Sequence, residues 1–271
     1  MPELPEVETV KNDLSPFVIG QRITDVTLLW EGIVRGPSVK EFRERLVGQQ
    51  VTALSRRAKY LLFQLGSGDT LVVHLRMSGA LLLETPGELG KYIRAVIHLD
   101  GGREVSFRDP RKFARMTLVK DVTPIISKLG PEPLESSFTA RLLAQLLEKR
   151  KAPLKAVLLD QELISGIGNM YADEALFAAR ISPLRPANSL TTLEVKHLHK
   201  AIQEVLRLGI TNKGASEVTY FRPSGEMGRA FQDFKVAHRR DGACPRCGTP
   251  IQRIKLRGRG TYFCPKCQGI A

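Results

Sequence analysis

The four cysteines constrain the fold of this chain more than any other feature. They form two C-x2-C pairs, Cys244 with Cys247 and Cys264 with Cys267, separated by sixteen residues. Each pair lets two thiolates in a tight turn converge on one tetrahedral ion, which is the spacing of a structural zinc site. The alternative, two disulfides, needs an oxidising compartment, and the N-terminus lacks the features of a signal peptide. We therefore predict one structural Zn²⁺ bound by all four cysteines.

The segment between the two cysteine pairs indicates a β-hairpin. Residues 250–255 and 261–263 have the pattern of short strands, and Arg257-Gly258-Arg259-Gly260 lies between them as a basic, glycine-rich tip. Such a tip can approach a phosphate or enter a groove. A solvated hairpin end fits the same residues equally well.

The charge of the chain favours a polyanionic partner. Forty-one Lys and Arg against 28 Asp and Glu give a net charge of +13, and the cations are scattered along the whole chain. Nucleic acid is the natural candidate, and a generically basic protein is the alternative. No segment reaches the length of an apolar membrane span, so we expect a cytoplasmic protein without a membrane partner.

The first half of the chain is predicted to be a helix followed by a β-rich region. Apolar residues at helical spacing predict a helix over residues 2–14, with its two prolines in the first turn. From residue 23 to residue 119 short β-rich runs alternate with turn clusters, which favours an antiparallel sandwich or barrel. The clearest runs are 51–54, 61–65, 71–75, 80–83 and 116–119.

The second half is predicted to begin with four helices. The first contains residues 142–147, the second opens at Pro153, the third covers about 169–179, and the fourth begins at the capping box Thr191-x-x-Glu194 and runs to Leu208. Residues 211–228 have no clear periodicity and are interpreted as a long functional loop.

A glycine turn, Gly166-Ile167-Gly168-Asn169, lies between the second and third of these helices. Glycines let the backbone approach a ligand, and a helix N-terminus presents free N–H groups to an anion. A glycine turn that joins two helices is usually only a turn. The preceding Lys155 and the basic charge of the chain make phosphate binding the hypothesis that we retain.

The N-terminus carries a candidate nucleophile. A small residue at position two allows removal of Met1, which would leave Pro2 with a secondary amine of pKa roughly 8, able to attack an electrophilic sugar carbon. Glu3 and Glu6 share one helical face beside the positive end of the helix dipole, where either could donate or accept a proton. On these residues alone, carboxylates that merely stabilise a helix start are the better interpretation.

Several motifs together resemble bacterial formamidopyrimidine-DNA glycosylase over essentially the whole chain. Their independence, order and spacing argue against a chance match. They are Pro2-Glu3-Leu4-Pro5-Glu6-Val7-Glu8, Arg56-Arg57-Ala58-Lys59-Tyr60, His74-Leu75-Arg76-Met77-Ser78-Gly79, Asp109-Pro110-Arg111-Lys112-Phe113, Gly166-Ile167-Gly168-Asn169, Gly258-Arg259-Gly260-Thr261 and the terminal four-cysteine finger.

The resemblance implies an α+β, bilobed enzyme with DNA bound in the cleft. We expect an N-terminal helix plus antiparallel β-sandwich over residues 1–130, a helix-two-turn-helix domain with a lesion-covering loop over 131–228, and a C-terminal four-cysteine zinc-finger β-hairpin over 229–271. In this family no metal takes part in the chemistry, and the zinc is structural.

The resemblance also implies the roles of the site residues. Pro2 is similar to the nucleophile that attacks C1′ of the damaged nucleotide and forms a Schiff base, and Glu3 to the general acid/base that assists sugar-ring opening. Lys59 completes the catalytic set and also matches a phosphate contact. Glu6 would support the bound base or its waters. Further matches to DNA-binding residues are His74, Met77, Arg111, Phe113, Lys155, Asn169 and Arg259.

The DNA-binding matches fall into two groups. Met77 would fill the space left by a flipped nucleotide, and Arg111 would hydrogen-bond the orphaned cytosine. Phe113 would wedge into a neighbouring base step. Without the resemblance, Met77 and Phe113 would be interpreted as core residues of β-rich segments. His74, Asn169 and Arg259 match residues that grip phosphates, and Lys155 matches a lysine near the damaged base.

The chain departs from the family pattern at three places. The family commonly has Lys-Gly-Gly-Ser-Ser/Thr in the loop over the everted base, where this chain has Lys213-Gly214-Ala215-Ser216-Glu217. Ala237-His238 stands where the family usually has Tyr-Gly, so an aromatic near the cleft is lost. Ala114 replaces a usual glycine. These changes bear on lesion preference more than on catalysis.

Three functions are compatible with these residues. The first is a base excision repair enzyme that removes formamidopyrimidines and 8-oxoguanine opposite cytosine and nicks by β,δ-elimination. The second prefers oxidised pyrimidines, as in endonuclease VIII, whose N-terminus typically reads Pro-Glu-Gly-Pro-Glu, whereas Leu4 here favours purines. The third is a non-catalytic zinc-finger protein that binds damaged DNA. The presence of Glu3, Glu6 and Lys59 argues against it, because binding alone needs no acid beside the Pro2 amine. We expect a monomer that binds double-stranded DNA holding an oxidised base or an abasic site.

Overall fold

The computed structural model describes residues 1–85, 87, 90–215 and 220–269, and its contacts divide the chain into two compact units. Unit 1 comprises Met1–Ser127 and Asn212–Phe231, and unit 2 comprises Lys128–Thr211 and Gln232–Ala271. This division differs from the sequence-based boundaries at 130 and 228 because the described residues of the segment 212–231 group with unit 1. Hydrogen bonds and ion pairs to the first helix hold it there.

Unit 1 contains two β-sheets. The strands are β1 (Ile23–Leu28), β2 (Val34–Arg35), β3 (Val51–Arg57), β4 (Tyr60–Leu65), β5 (Thr70–His74), β6 (Ala80–Glu84), β7 (Ile93–Leu99), β8 (Glu104–Arg108) and β9 (Arg115–Val119). One sheet has the order β1-β7-β8-β6 and the other β2-β9-β5-β4-β3. Neighbouring strands are antiparallel except for β2 and β9, which pair in parallel over two residues.

The two sheets face each other across one apolar core, as in a sandwich. Phe63 and Met116 from one sheet and Leu81 and Phe107 from the other are buried and line the same small internal cavity. The first helix, α1 (Leu4–Val18), adds an apolar stripe to this core. The stripe consists of Val7, Val10, Leu14 and Val18.

The helices of unit 1 differ from the prediction in three respects. The first helix starts at Leu4, because Glu3 is its N-cap, and continues through Pro16 to Val18 instead of ending at residue 14. A second helix, α2 (Val39–Leu46), lies in the region predicted to be β-rich; Ser38 caps it, and its Phe42 and Leu46 are buried. A short helix, α3 (Thr123–Ile126), follows the last strand.

Unit 2 contains the predicted helices and the hairpin. They are α4 (Ala140–Leu147), α5 (Leu154–Leu158), α6 (Asn169–Ala179), α7 (Thr192–Thr211), β10 (Gln252–Leu256) and β11 (Arg259–Phe263). The predicted capping box is confirmed, since Glu194 accepts the N–H of Thr191 at 2.8 Å and Thr191 accepts that of Glu194 at 3.3 Å. The chain returns from unit 1 to unit 2 within α8 (Ala230–Asp233). Among the described residues, no helix combines the length and apolar character needed to span a membrane.

Candidate active site and nucleic-acid interface

The start of α1 brings the candidate nucleophile and two buried carboxyl groups into one short stretch of chain. Pro2 is buried, and Met1 before it is exposed. Glu3 is only 2% exposed and Glu6 only 1%. The two carboxylate oxygens of Glu6 accept the N–H groups of Glu3 and Ala215, each at 2.7 Å. Glu6 therefore joins the first turn of α1 to a backbone group 209 residues further along the chain.

Lys59 lies on the two-residue turn between β3 and β4, and it is buried although it carries an amine. The preceding Ala58 has a φ of 51°, a left-handed conformation that costs energy for a residue with a Cβ. Arg56 holds this turn, because its guanidinium donates to the Ala58 carbonyl at 2.9 Å and to the Glu8 carboxylate at 2.7 Å. The turn with Lys59 is thus fastened to α1.

The Arg56–Glu8 pair has an electrostatic consequence. Burial raises the pKa of Glu8, but hydrogen bonds and charge from Lys11 and Arg56 outweigh it, so that the pKa lies below its usual value. Glu8 is therefore a stable anion that anchors Arg56. Both residues belong to motifs noted in the sequence, but their pairing was not predicted, because the ion pair joins positions 48 residues apart.

Asp109 fixes the loop that follows β8. It is fully buried, and one of its oxygens accepts the N–H groups of Phe113 and Ala114 at 2.7 and 2.8 Å. The other accepts the N–H of Arg111 at 3.1 Å and the hydroxyl of Ser78 at 2.6 Å. A single carboxylate therefore shapes the loop and ties it to the loop after β5.

The three side chains matched to base flipping are not core residues. Phe113 is 43% exposed, Arg111 is exposed and Met77 is half-buried. The Arg111 guanidinium lies 4.8 Å from the centre of the Phe113 ring, a cation–π contact. An exposed phenylalanine on a loop that a buried carboxylate holds rigid is available to contact a partner.

His74, the last residue of β5, is a neutral hydrogen-bond donor. Burial first, and then the charges of Arg76 and Lys59, lower the pKa of His74 to about 3. Its Nδ1 accepts the N–H of Arg76 at 2.9 Å, so the proton of the neutral ring is on Nε2. The rings of Tyr60 and His74 are perpendicular, with their centroids 4.6 Å apart. This arrangement can donate to a phosphate without contributing charge.

In unit 2, the glycine turn before α6 is held by Gln161. The amide of Gln161 donates to the Ile167 carbonyl at 2.8 Å and accepts the N–H of Gly166 at 2.9 Å. Gly166 has a φ of 87°, which favours glycine. Asn169 is the first residue of α6, and its buried Oδ1 has no hydrogen-bond partner in the described chain. The turn thus presents a helix N-terminus with a polar side chain.

The hairpin of β10 and β11 presents Arg259. Its two-residue turn, Arg257-Gly258, has positive φ at both positions, 44° and 82°, as a type I′ turn requires. Arg259 begins β11 and is exposed.

Lys155 is not placed like Arg259. It is only 1% exposed, and its ammonium contacts Asp173 at 2.7 Å, the Gly260 carbonyl at 2.9 Å and the Thr261 hydroxyl at 3.0 Å. Asp173 also accepts the N–H of Tyr262 at 3.1 Å. Burial raises the pKa of Asp173 to about 7 despite the adjacent ammonium. This arrangement is an internal connection between α5, α6 and the hairpin, and a direct DNA contact by Lys155 stays a prediction.

The four cysteines have the geometry of a zinc site. None is disulfide-bonded, and the four sulfurs all lie within 4.8 Å of one another. The Sγ–Sγ separations are 3.8 Å for Cys244 and Cys267 and 3.5 Å for Cys247 and Cys264. A tetrahedral ion with Zn–S bonds of about 2.3 Å requires sulfurs about 3.8 Å apart. The residues fit one Zn²⁺, and it would cross-link the two turns that flank the hairpin.

Comparisons with known proteins agree along the whole chain. Residues 1–116 match the formamidopyrimidine-DNA glycosylase N-terminal domain, residues 129–220 the H2TH domain of the same enzyme, and residues 243–269 the zinc finger found in FPG and IleRS. A formamidopyrimidine-DNA glycosylase of Chloroflexus aurantiacus is 45% identical, with 99% of this chain and 98% of that protein aligned. The chain belongs to the formamidopyrimidine-DNA glycosylase family.

Solved structures of the family have the same fold. The MutM (Fpg) protein of Thermus thermophilus is 40% identical with a TM-score of 0.90, covering 100% of both chains. The Lactococcus lactis Fpg in complex with DNA containing an abasic site is 33% identical with a TM-score of 0.92, covering 98% of this chain and 99% of that one. As a member of the formamidopyrimidine-DNA glycosylase family, the chain is a DNA glycosylase of base excision repair that acts on damaged DNA.

The departures from the glycosylase family pattern have different structural settings. Ala114 is fully buried, and its N–H bonds to Asp109. At the Ala237-His238 position an aromatic ring is present after all, because His238 stacks on Tyr262 with centroids 5.4 Å apart. The backbone before it is held by the buried Glu174 carboxylate, which accepts the N–H groups of residues 235–237. Glu217 lies outside the described residues.

Proposed function

We propose that this glycosylase is bifunctional: it removes oxidised purines, chiefly formamidopyrimidines and 8-oxoguanine opposite cytosine, and then cleaves the strand as an AP lyase. The observation that carries the proposal is the buried cluster at the start of α1, where Glu3 and Glu6 adjoin Pro2. Glu3 and Glu6 form the capping box of α1, and Glu6 in addition accepts the N–H of Ala215, a contact that a helix start does not need. Lactococcus lactis Fpg structures with DNA containing Fapy-dG or an abasic site support the substrate class.

The proposed chemistry starts from the secondary amine that removal of Met1 leaves on Pro2. The amine attacks C1′, the glycosidic bond breaks, and the base departs with a proton. Glu3 protonates the ring oxygen, so that the sugar opens and C1′ becomes a Schiff base to Pro2. Loss of a proton from C2′ then expels the 3′ phosphate, and a second elimination expels the 5′ phosphate. Water then hydrolyses the Schiff base, which releases the sugar as an unsaturated aldehyde, regenerates the Pro2 amine and leaves a one-nucleotide gap with phosphate ends.

The DNA contacts are proposed from the positions described above. Met77 would fill the space of the flipped nucleotide, Arg111 would bond the orphaned cytosine and Phe113 would wedge a neighbouring base step. The Ser78–Asp109 hydrogen bond joins their two loops, and Arg111 and Phe113 are exposed. The phosphate contacts would be made by Lys59, His74, Asn169 and Arg259. For Glu6 we propose a supporting role, since both its oxygens hold backbone N–H groups.

A panel of single-lesion duplexes tests this proposal. Under single-turnover conditions we expect 8-oxoguanine and formamidopyrimidine opposite cytosine to be excised faster than thymine glycol, with products that carry phosphates at both ends. Faster excision of thymine glycol would favour the oxidised-pyrimidine alternative. Tight binding to abasic DNA without strand cleavage would favour the non-catalytic one. Glu3→Gln should lower excision by about a hundred-fold or more, whereas the exposed Glu44→Gln on α2 serves as the control.

A further inference from the structure

One carboxylate on α1 holds both sides of the segment 212–231. Asp13 Oδ1 accepts the ammonium of Lys213 at 3.3 Å, and its Oδ2 accepts Nε of Arg222 at 2.9 Å. These cations stand on opposite sides of residues 216–219 in the sequence. Asp13 therefore clamps the two described arms of this segment together on the helix that begins the candidate active site.

The clamp is partly shielded from water. The Asp13 side chain is 15% exposed and that of Arg222 is 21% exposed, so solvent screens this pair less than a surface pair, whereas the Lys213 side chain is 42% exposed. Arg222 has a second partner, Glu226, whose side chain is 68% exposed. The two partners of the Arg222 guanidinium, Asp13 and Glu226, thus differ in burial. A substitution of Glu226 is therefore a matched control for one of Asp13.

The segment also reaches the active-site cluster through its backbone. Asp13 and Glu6 are seven residues apart and so lie on the same face of α1. Glu6 accepts the N–H of Ala215 and also the N–H of Glu3, both at 2.7 Å. A Cβ on Gly214 would come within 3.0 Å of the Glu6 side chain, which shows how closely the backbone approaches.

The second arm is fastened to the sheet as well. The N–H of Leu83 donates to the Pro223 carbonyl at 2.8 Å. The Arg108 guanidinium lies 5.2 Å from the centre of the Phe221 ring. Since these contacts do not involve Asp13, loss of the clamp should loosen the first arm, at Lys213 to Ala215, more than the second.

We propose that Asp13 is a positioning residue for base excision. By binding both Lys213 and Arg222, it keeps the Ala215 N–H hydrogen-bonded to Glu6 and so holds the backbone at Ala215 in place beside Glu3. This inference rests on the proposed function. The position of this backbone matters most when the substrate carries a base that must be oriented for attack at C1′. A preformed abasic sugar has no base, so its cleavage depends less on the clamp.

Limited digestion with trypsin tests the clamp without any assay of activity. In Asp13→Asn we expect cleavage after Lys213 to be several-fold faster than in the wild type. Asp13→Ala removes the same carboxylate at a helical position where alanine is favourable, so it should give the same change and covers the case in which Asp13→Asn folds poorly. Glu226→Gln, which removes only the exposed partner of Arg222, should match the wild type. Unchanged cleavage after Lys213 in both clamp variants would overturn the inference.

Single-turnover kinetics on two substrates tests the consequence. For Asp13→Asn we expect excision of 8-oxoguanine to fall roughly ten-fold and cleavage of a preformed abasic site to stay within about two-fold of the wild type. Glu226→Gln should leave both rates within about two-fold. Equal losses on both substrates, or no loss on either, would contradict a role in base excision. If the wild type excises no lesion, the proposed function fails, and the trypsin result still decides whether the clamp exists.

Discussion

The hydroxyl of Ser78 donates a 2.6 Å hydrogen bond to the carboxylate of Asp109, and this contact joins two loops of unit 1. One loop carries Met77, and the other carries Arg111 and Phe113. The carboxylate also accepts backbone N–H groups of the second loop, so the three side chains are held in a common frame. A shared frame keeps side chains from separate loops in the fixed relation that flipping requires.

Replacing Asp109 should disturb this frame more than replacing Ser78. Asp109→Asn replaces one carboxylate oxygen, which accepts buried N–H groups, with an amide group that donates. We therefore expect the free energy of unfolding to fall by about 2–3 kcal/mol. For Ser78→Ala we expect a loss of about 1 kcal/mol. Excision should also lose discrimination for cytosine opposite the lesion in Asp109→Asn. Denaturant unfolding and excision opposite each of the four bases measure both effects. An Asp109→Asn protein with wild-type stability and discrimination would contradict the account.

His74 and Arg259 should differ in the salt dependence of DNA binding. Arg259 brings a charge to a phosphate and releases a counterion. The slope of log K against log salt should therefore become less negative by about 0.9 in Arg259→Ala. His74 donates from a neutral ring, so His74→Gln should weaken binding without changing the slope. Fluorescence anisotropy from low to moderate salt gives both slopes. Equal slope changes in the two variants would refute the distinction.

The half-buried His74 should make unit 1 sensitive to acid. The folded-state pKa of about 3 lies below the ordinary value of 6.5, so between these values the unfolded chain binds a proton that the folded chain does not. Stability is therefore lost as pH falls through this range. We expect the unfolding free energy of His74→Gln to fall less steeply than that of the wild type, by on the order of a few kcal/mol at pH 4.

Denaturant unfolding at pH 7, 5.5 and 4 measures this difference. The exposed His197→Gln on α7 is the control and should follow the wild type. Parallel curves for the wild type and His74→Gln would show that the imidazole is not held neutral by burial.

The buried pair of Lys155 and Asp173 should be costly to break from one side. Lys155→Met leaves a buried carboxylate without its cation, so we expect a loss of about 3–5 kcal/mol, whereas Lys155→Met with Asp173→Leu should recover most of it. Lys200→Met, at an exposed pair with Glu204, should change stability by less than about 1 kcal/mol. If the double variant also regains DNA affinity, Lys155 positions the hairpin. Restored stability without restored affinity would favour a direct DNA contact.

The sequence predicted features whose signals are local. The cysteine spacing predicted a zinc-type cluster, because two short motifs contain all four ligands. The capping box at Thr191 and Glu194 and the bounds of α6 were predicted for the same reason. The α2 helix was missed, because its apolar stripe is limited to Phe42 and Leu46 in a region of β-rich runs.

Long-range relations could not be predicted. Nothing near Glu6 in the sequence indicates that it would bind the backbone at Ala215, and a lysine in a basic chain carries no sign that it is buried, as Lys155 is. Periodicity alone would have placed Phe113 in the core, whereas the loop fixed by Asp109 leaves it 43% exposed. In each case, partners distant in sequence determine the environment.

The most direct test of the account is borohydride trapping of the protein on a duplex with one 8-oxoguanine opposite cytosine. We predict a covalent adduct that peptide mass analysis places on Pro2 of a chain lacking Met1. The adduct should be abolished when Met1 is retained and reduced in Pro2→Gly, whereas Pro16→Ala, remote from the terminus, should trap normally. An adduct on the buried amine of Lys59 instead, or none with any lesion, would contradict the assignment of Pro2 as the nucleophile.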